Sequence, residues 1–413
     1  MTRRRRLVVA AGAAAALAAC SSAGATPLVH RGEVVEVAGG ALTARDVAAA
    51  QTAFGIDLLH AVCRRAAGDE VLVSPTSAAE ALGLLYPATA GPTAEAFADV
   101  LHLPAWSPDL VAATRDHTAA LAGLRYDGDL DDDDAPDALQ LSNHLWTALG
   151  VQPDPGYLDD LATAFAADVR SLDFAGDPDG ATDRVNSTVD EDTQGVIEQV
   201  LDQPLPTGTR AVLINAVHLQ ARWATPFTDT RTAPFATPAG ERDVEMMSGG
   251  AGTARAAEGW QSVELPYRDG TLAAVAVLPP EDVDPCAVDA ATLAALSAAE
   301  PDEVGVRLPR LHVEQAHELL EPLVGLGLPV DGDLGRLGEP DLEISRVVQQ
   351  TYLDIDEEGT EAAAATAVVV EAASGGVPEE RRVVSFDRPF LVLLTDTATR
   401  SPLFVTVVQD PTP

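Results

Sequence analysis

Apolar positions near the start of the chain recur at the three- and four-residue spacing of helices. Phe54, Leu58, Leu59 and Val62 fall on one face of a helix predicted over 44–65, and further helices are predicted over 78–85 and 94–101. Between the first two, 71–73 reads as a short strand stopped by Ser74-Pro75. Beyond residue 101 helical and strand signals mix without the regular alternation that a doubly wound sheet requires. Strand-like runs are predicted at 139–148, 211–219, 271–278, 305–311, 346–355, 390–395 and 403–408, so the C-terminal third is rich in strands. No internal repeat and no linker divides 44–413, which reads as one mixed α/β domain of the α+β kind.

One segment, 356–376, fits neither element cleanly. Charge and Gly359 stand at its left end, very small side chains fill its middle, and β-branched residues and then glycines close it. As a helix, its alanines fit but the valines 368–370 and the missing cap do not. As a strand, Thr360, Ala362, Ala364, Thr366, Val368 and Val370 share one face, with Glu361 and Glu371 on the other. The segment is therefore able to be loop or strand. Small residues at alternate positions let such a segment slide between two strands already paired, with Gly359 as the hinge, gaining main-chain hydrogen bonds and one-sided burial. The hydroxyls of Thr360 and Thr366 then point inward and need partners.

Composition narrows the setting. With 64 acidic and 26 basic residues the formal charge is -38, which disfavours nucleic acid and other polyanions. Every basic side chain outside the histidines is arginine. Arg3 to Arg6 precede an apolar run over 7–17, too short to span a membrane, and 17–20 reads Leu-Ala-Ala-Cys before Ser21-Ser22. This resembles a bacterial lipobox, which implies a signal peptide over 1–19, acylation of Cys20 and a tether over 20–43; the other reading is a plain secretory signal cut after Ala19. On either, the mature protein works outside the cytoplasm, as a lipoprotein on the outer face of the cell membrane or secreted. Cys63 and Cys286 are then left either to bridge or to stay as two buried thiols.

No catalytic constellation is found. G-x-S-x-G, the P-loop and the dinucleotide fingerprint are absent, and His312 and His317 are five apart, off the one-face spacing of a zinc helix. The acidic run 127–134 lacks the glycine and glutamate positions of a calcium loop and reads as a solvated surface loop. No cofactor and no metal is expected.

The segment E-E-G-T-E-A-A-A-A-T at 357–366 is similar to the hinge of the serpin reactive-centre loop. Phe386 and Arg388-Pro389-Phe390 resemble that family's F-x-R-P-F, and Ser401-Pro402-Leu403-Phe404-Val405 with Asp410-Pro411 its C-terminal ending. Asn215-Ala216 through Trp223 to Pro226-Phe227, Ser74-Pro75-Thr76-Ser77, and Thr193-Gln194-Gly195-Val196-Ile197 resemble three more of its motifs, in the family's order over 44–413.

The resemblance implies the serpin fold: a dominant five-stranded mixed sheet, two smaller sheets, eight or nine helices and an exposed loop over about 357–385. It implies an inhibitor, not an enzyme, that forms a covalent complex with an extracellular serine protease and then inserts its cut loop into the sheet. The hinge residues are Glu357, Gly359, Thr360, Glu361, Ala362, Ala363, Ala364 and Ala365. Family spacing puts the reactive bond at Ala373-Ser374, suited to elastase-like or subtilisin-like enzymes. Ser74, Ser77, Asn215 and Gln349 form the shutter, where glutamine in place of the family's common histidine implies a latch that does not titrate. A monomer that ignores heparin and carries a membrane anchor completes the expectation. The competing readings are a serpin-fold binding protein cleaved only as a substrate and an inhibitor of cysteine proteases.

Overall fold

The computed structural model describes residues 25–411 apart from 67, 131, 133, 330, 339–343 and 361–380. Its eight α-helices among the described residues are α1 (Ala44–Ala66), α2 (Pro75–Leu85), α3 (Gly91–Leu101), α4 (Pro108–Ala122), α5 (Pro155–Phe165), α6 (Pro178–Asp192), α7 (Ala290–Ala298) and α8 (Leu320–Leu326). The first strands in chain order are β1 (Leu28–His30), β2 (Val71–Val73), β3 (Ala138–Ala148), β4 (Val169–Leu172) and β5 (Ala211–Arg222). Then come β6 (Asp229–Thr237), β7 (Gly240–Ala257), β8 (Trp260–Pro266), β9 (Leu272–Leu278), β10 (Asp302–Pro309) and β11 (Leu311–Glu318). The last are β12 (Ile344–Ile355), β13 (Gly359–Thr360), β14 (Val383–Ser385), β15 (Phe390–Asp396) and β16 (Pro402–Val408).

The strands form two sheets. The first runs β1-β4-β3-β5-β13-β12-β11 and the second β14-β10-β7-β8-β9-β15-β16-β2, with β6 beside β7. The expected five-stranded sheet is the set β4, β3, β5, β12 and β11; the two-residue β13 and the edge strand β1 are added to it. The two smaller sheets expected from the sequence are continuous, because the 18-residue β7 pairs with β6 and β10 along one part and with β8 at its end.

α2 lies at the centre of the molecule. Ser74 caps it by accepting from the Ser77 amide, Pro75 opens it with a preset φ, and all eleven of its residues are buried. Its small residues permit close approach. A Cβ on Gly83 would stand 2.7 Å from Phe165, and one on Gly55 of α1 would stand 2.6 Å from Pro75. α2 thereby touches β3 and β5 on one side and β16 on the other.

One open choice is settled and one expectation changes. Cys63 and Cys286 are joined in a disulfide that ties α1 to the short turn at Pro285–Ala287. The tether read over 20–43 is held to the body from residue 25 onward. Ala25 donates to the Gly180 carbonyl, β1 pairs with β4, and the amides of Glu33, Val35 and Ala41 donate to Asp159, Thr163 and Asp109. Three polar side chains spread across α4 and α5 supply this docking, and nothing in the segment's own small, polar composition announces it.

Candidate functional site

The site is the gap between β5 and β12. The two strands run parallel and pair directly from Ala211 opposite Ile344 to Val217 opposite Thr351, and beyond that they part. β13 occupies the parted end, with Gly359 opposite Arg222 and Thr360 opposite both Ala221 and Ile355. A new strand is therefore already begun at one end of the sheet.

Several groups fix this start. The Asp356 carboxylate accepts from the amides of Glu358 at 2.8 Å and Gly359 at 3.1 Å, turning the chain back on itself. At Gly359 a Cβ would lie 2.1 Å from the Ala221 carbonyl oxygen, so the close backbone approach demands glycine. Thr360 is fully buried and its hydroxyl is hydrogen-bonded to that of Tyr267, whose ring stacks on Trp223 at 4.5 Å. The inward hydroxyl anticipated at this position thus has its partner.

Trp223 donates from its indole to the Asp356 carbonyl at 2.9 Å and from its amide to Glu358, while the Phe227 amide donates to Glu357. The Glu357 carboxylate takes a two-pronged hydrogen bond from Arg310, both Nη2 contacts at 2.7 Å, and one from Thr230. Burial alone would raise this carboxyl; the hydrogen bonds from Arg310 and Thr230 outweigh burial and hold it below its ordinary range.

The four residues expected at the shutter meet lower in the gap. Gln349 on β12 donates to the Asn215 side chain at 2.7 Å and to the Ser74 carbonyl at 3.0 Å, and its own oxygen accepts from the Ser74 amide at 2.9 Å. Asn215 on β5 reaches Ser77, and Ser74 donates to the Leu403 carbonyl at 2.6 Å. All four are buried. α2 is bonded to both halves of the sheet, through Ser74 to β12 and through Ser77 to β5, so separating the halves must break one set of these bonds.

Two members of the network carry no readable signal in the sequence. Asn143 on β3 accepts from Ser77 at 3.0 Å and from Asn215 at 2.5 Å, and donates to Glu80 of α2 at 3.0 Å. Burial raises the Glu80 carboxyl to about 7. Asn143 stands in a strand that mixes Gln140, Ser142, His144 and Thr147 with apolar residues, so nothing in the sequence singles it out. Arg310, Thr230 and Tyr267, which hold the hinge, are likewise scattered residues without a motif. Among the predicted site residues, Glu361, Ala362, Ala363, Ala364, Ala365, Ala373, Ser374 and Cys20 lie outside the described residues.

An Asn215→Ala change leaves Gln349, Asn143 and Ser77 buried with unmet hydrogen bonds, a loss of about 2 kcal/mol. The expected result is a lower melting temperature and faster spontaneous closure of the loop into the sheet, read by native gel after incubation at raised temperature; an unchanged rate would remove Asn215 from the latch.

A family model described as Serpin (serine protease inhibitor) matches residues 49–411. An uncharacterized serpin-like protein of Thermococcus kodakarensis is 29% identical over 362 residues, covering 83% of this chain and 81% of its own length. The leukocyte elastase inhibitor of Bos taurus is 29% identical over 391 residues, covering 88% and 99%. Among solved structures, the thermophilic serpin tengpin in its native state superposes with a TM-score of 0.77 at 23% identity, covering 92% of this chain and 97% of its own. Human thyroxine-binding globulin gives 0.75 at 23% identity, covering 90% and 100%. These two curated relatives are archaeal and eukaryotic, and they do not single out a bacterial lipoprotein subtype.

Proposed function

The chain belongs to the serpin family, and from that premise we propose that it inhibits extracellular serine proteases as a suicide substrate. One observation carries this reading: a strand is already begun between β5 and β12, and the sequence that follows it is made of residues small enough to continue it.

The register of β13 sets the length of travel. Each further loop residue pairs one position back along β5, so Val370 would come opposite Ala211 at the far end of the strand. Ala373 would then lie just past the sheet, about 40 Å from where Thr360 sits, at about 3.3 Å per residue. The protease serine attacks the Ala373 carbonyl, its proton passes to the Ser374 nitrogen as that bond breaks, and the new amino terminus moves away while the chain beyond it stays in the second sheet through β14, β15 and β16. The acyl ester on Ala373 is carried along as the loop inserts. Thr360, Ala362, Ala364, Thr366, Val368 and Val370 present the inward face, and none carries a charge. A protease dragged to the end of the sheet before water attacks the ester is held.

The anchor reading belongs to the same proposal. Acylation at Cys20, or export without it, puts the chain in an oxidising compartment, and the Cys63–Cys286 disulfide supports that setting. The target is read as elastase-like or subtilisin-like from the small Ala373, and the working unit as a monomer.

A second reading has its own support. A cavity of about 520 Å³ lies between α1, α7 and strands β8, β9 and β15, bordered by Arg45, Arg255 and Leu293, and the family includes non-inhibitory members such as thyroxine-binding globulin. The two readings separate on a denaturing gel. Incubated with subtilisin or elastase, an inhibitor yields a stable band near the summed mass of the two proteins, and mass spectrometry of the released peptide reports cleavage after Ala373. Cleaved loop with no adduct would sink the inhibitor reading, and an adduct with a papain-like enzyme alone would move the target to cysteine proteases.

A further inference from the structure

The latch contains an ionisable group that glutamine at position 349 does not replace. Glu80 sits in the buried helix α2 and reaches β3 through Asn143, which is itself bonded to Ser77 and Asn215. The second carboxyl oxygen of Glu80 makes no hydrogen bond, and it faces the Nδ1 of the buried His117 of α4 at 3.7 Å, a nitrogen that also makes none. His117 is fixed from behind, its Nε2 lying 2.8 Å from the Ser401 hydroxyl.

Every charged group that faces Glu80 is otherwise engaged. The small cavity beside it, about 300 Å³, is lined by Arg125 just past α4, His144 of β3, Arg170 of β4, Asp168 just before β4 and Asp192 of α6. Arg125 pairs with Asp127, Arg170 with Asp168, and His144 with Asp192 at 2.6 Å. Among the described residues Glu80 has no cation of its own unless His117 is protonated, and burial, outweighing the charge of Asp396, lowers His117 to about 4. A proton on the carboxyl is therefore the cheapest way to keep this pocket neutral in the closed sheet.

We propose that Glu80, backed by His117, makes the serpin latch proton-sensitive: the closed sheet holds a neutral carboxyl, and losing that proton eases the separation of β5 from β12. Separation strains the bonds that α2 makes to one half of the sheet or the other, and the Glu80–Asn143 bond crosses from α2 to the β3 and β5 half. Any motion there opens the cavity and wets the carboxyl. The sign follows from linkage. The carboxyl binds its proton up to about 7 when buried, against an ordinary value of 4.5, so the closed form holds more protons than an opened one between those limits. Its preference is complete at low pH, drains away as pH climbs towards 7, and is flat above.

This inference rests on the latch reading of the sheet, and its test needs no protease. The probe is a synthetic peptide copying residues 360–373, whose uptake into the gap is followed by native gel from pH 5.5 to 8.5 at constant ionic strength. Wild type is expected to take up peptide roughly tenfold faster at the alkaline end, with a midpoint near neutrality, a part of the roughly thirtyfold that full exposure of Glu80 would allow over this range. Glu80→Gln should be slow and flat across the range, while His144→Gln keeps the wild-type midpoint. A Glu80→Gln protein with the wild-type profile overturns the proposal; if Gln349→Ala still speeds uptake in the same assay, the latch itself stands and only its proton control is lost. If neither variant moves uptake, the latch and the proposal fall together. Should Glu80→Gln not fold, a carboxyl-labelled Glu70→Gln protein answers the question, since burial raises Glu70 to about 7 as well: a glutamic acid resonance still titrating near neutrality supports the proposal, and all remaining glutamates titrating in the ordinary range overturn it.

Discussion

On the proposed mechanism, replacing Thr360 by arginine is expected to turn a trap into a substrate, leaving the loop cleaved as fast as before and the covalent adduct below about a hundredth of wild type. Thr360 is fully buried between β5 and β12, with its hydroxyl on Tyr267 and the Trp223–Tyr267 stack beside it. A guanidinium there would lose its hydration without gaining a carboxylate, a penalty of at least about 3 kcal/mol on strand entry. Cleavage and hydrolysis of the acyl ester proceed elsewhere, so the partition between trapping and release shifts by about tenfold for each 1.4 kcal/mol. Thr360→Val is the informative companion. It keeps the shape and leaves only the Tyr267 hydroxyl unmet, about 1 kcal/mol, so most of the adduct should survive. Densitometry of the adduct and cleaved bands checks both, and an undiminished adduct for the arginine variant would refute insertion at this gap.

The second large effect belongs to the Cys63–Cys286 bridge, which closes a separation of 223 residues between α1 and the turn before α7. Chain-entropy reasoning puts its contribution near 5 kcal/mol for a loop of that length. The double change Cys63→Ser with Cys286→Ser should lower the melting temperature by roughly 5 °C, given about 2 cal/mol/K of unfolding entropy per residue. His60 still bonds the Val288 carbonyl at 2.8 Å beside the bridge, so the turn keeps one attachment and the fold persists. Reductant should lower wild type to the same value and leave the double variant unmoved; a reductant-insensitive wild type would show that the bridge adds nothing.

Much of this architecture was legible in the residues, for identifiable reasons. Strands β3, β5, β9, β12, β15 and β16 are long, buried on at least one face and rich in branched side chains, so their pattern survives without context. Gly359 was legible because its demand is local, a backbone contact that leaves no room for a side chain, while the small residues after it were read from composition alone. The grouping of Ser74, Ser77, Asn215 and Gln349 was available only through the family resemblance, since no local spacing links them. What stayed hidden depends on tertiary contact. Asn143 and Glu80 look like ordinary polar residues until α2 is laid across β3, and Arg310 becomes part of the hinge only when β10 and β11 bring it against Glu357. β1 is three residues long and owes its existence to the β4 edge it covers. The pairing of Cys63 with Cys286 likewise had to await the packing of α1 beside the turn that carries its partner.

The docking of the N-terminal stretch fixes which way a lipid-held copy would look. Ala25 is bound at Gly180, and β1 joins the sheet at the end where Leu172, Ala148 and Ala211 lie, opposite to the end that starts β13. On the proposed anchor, Cys20 is five residue steps from that attachment, a leash of at most about 18 Å. Such a leash permits little roaming: the bait would stand on the outward pole, away from the bilayer, where a diffusing enzyme meets it first. On the proposed trapping, each capture would then finish with the enzyme swung round to the membrane side, wedged between this chain and the bilayer.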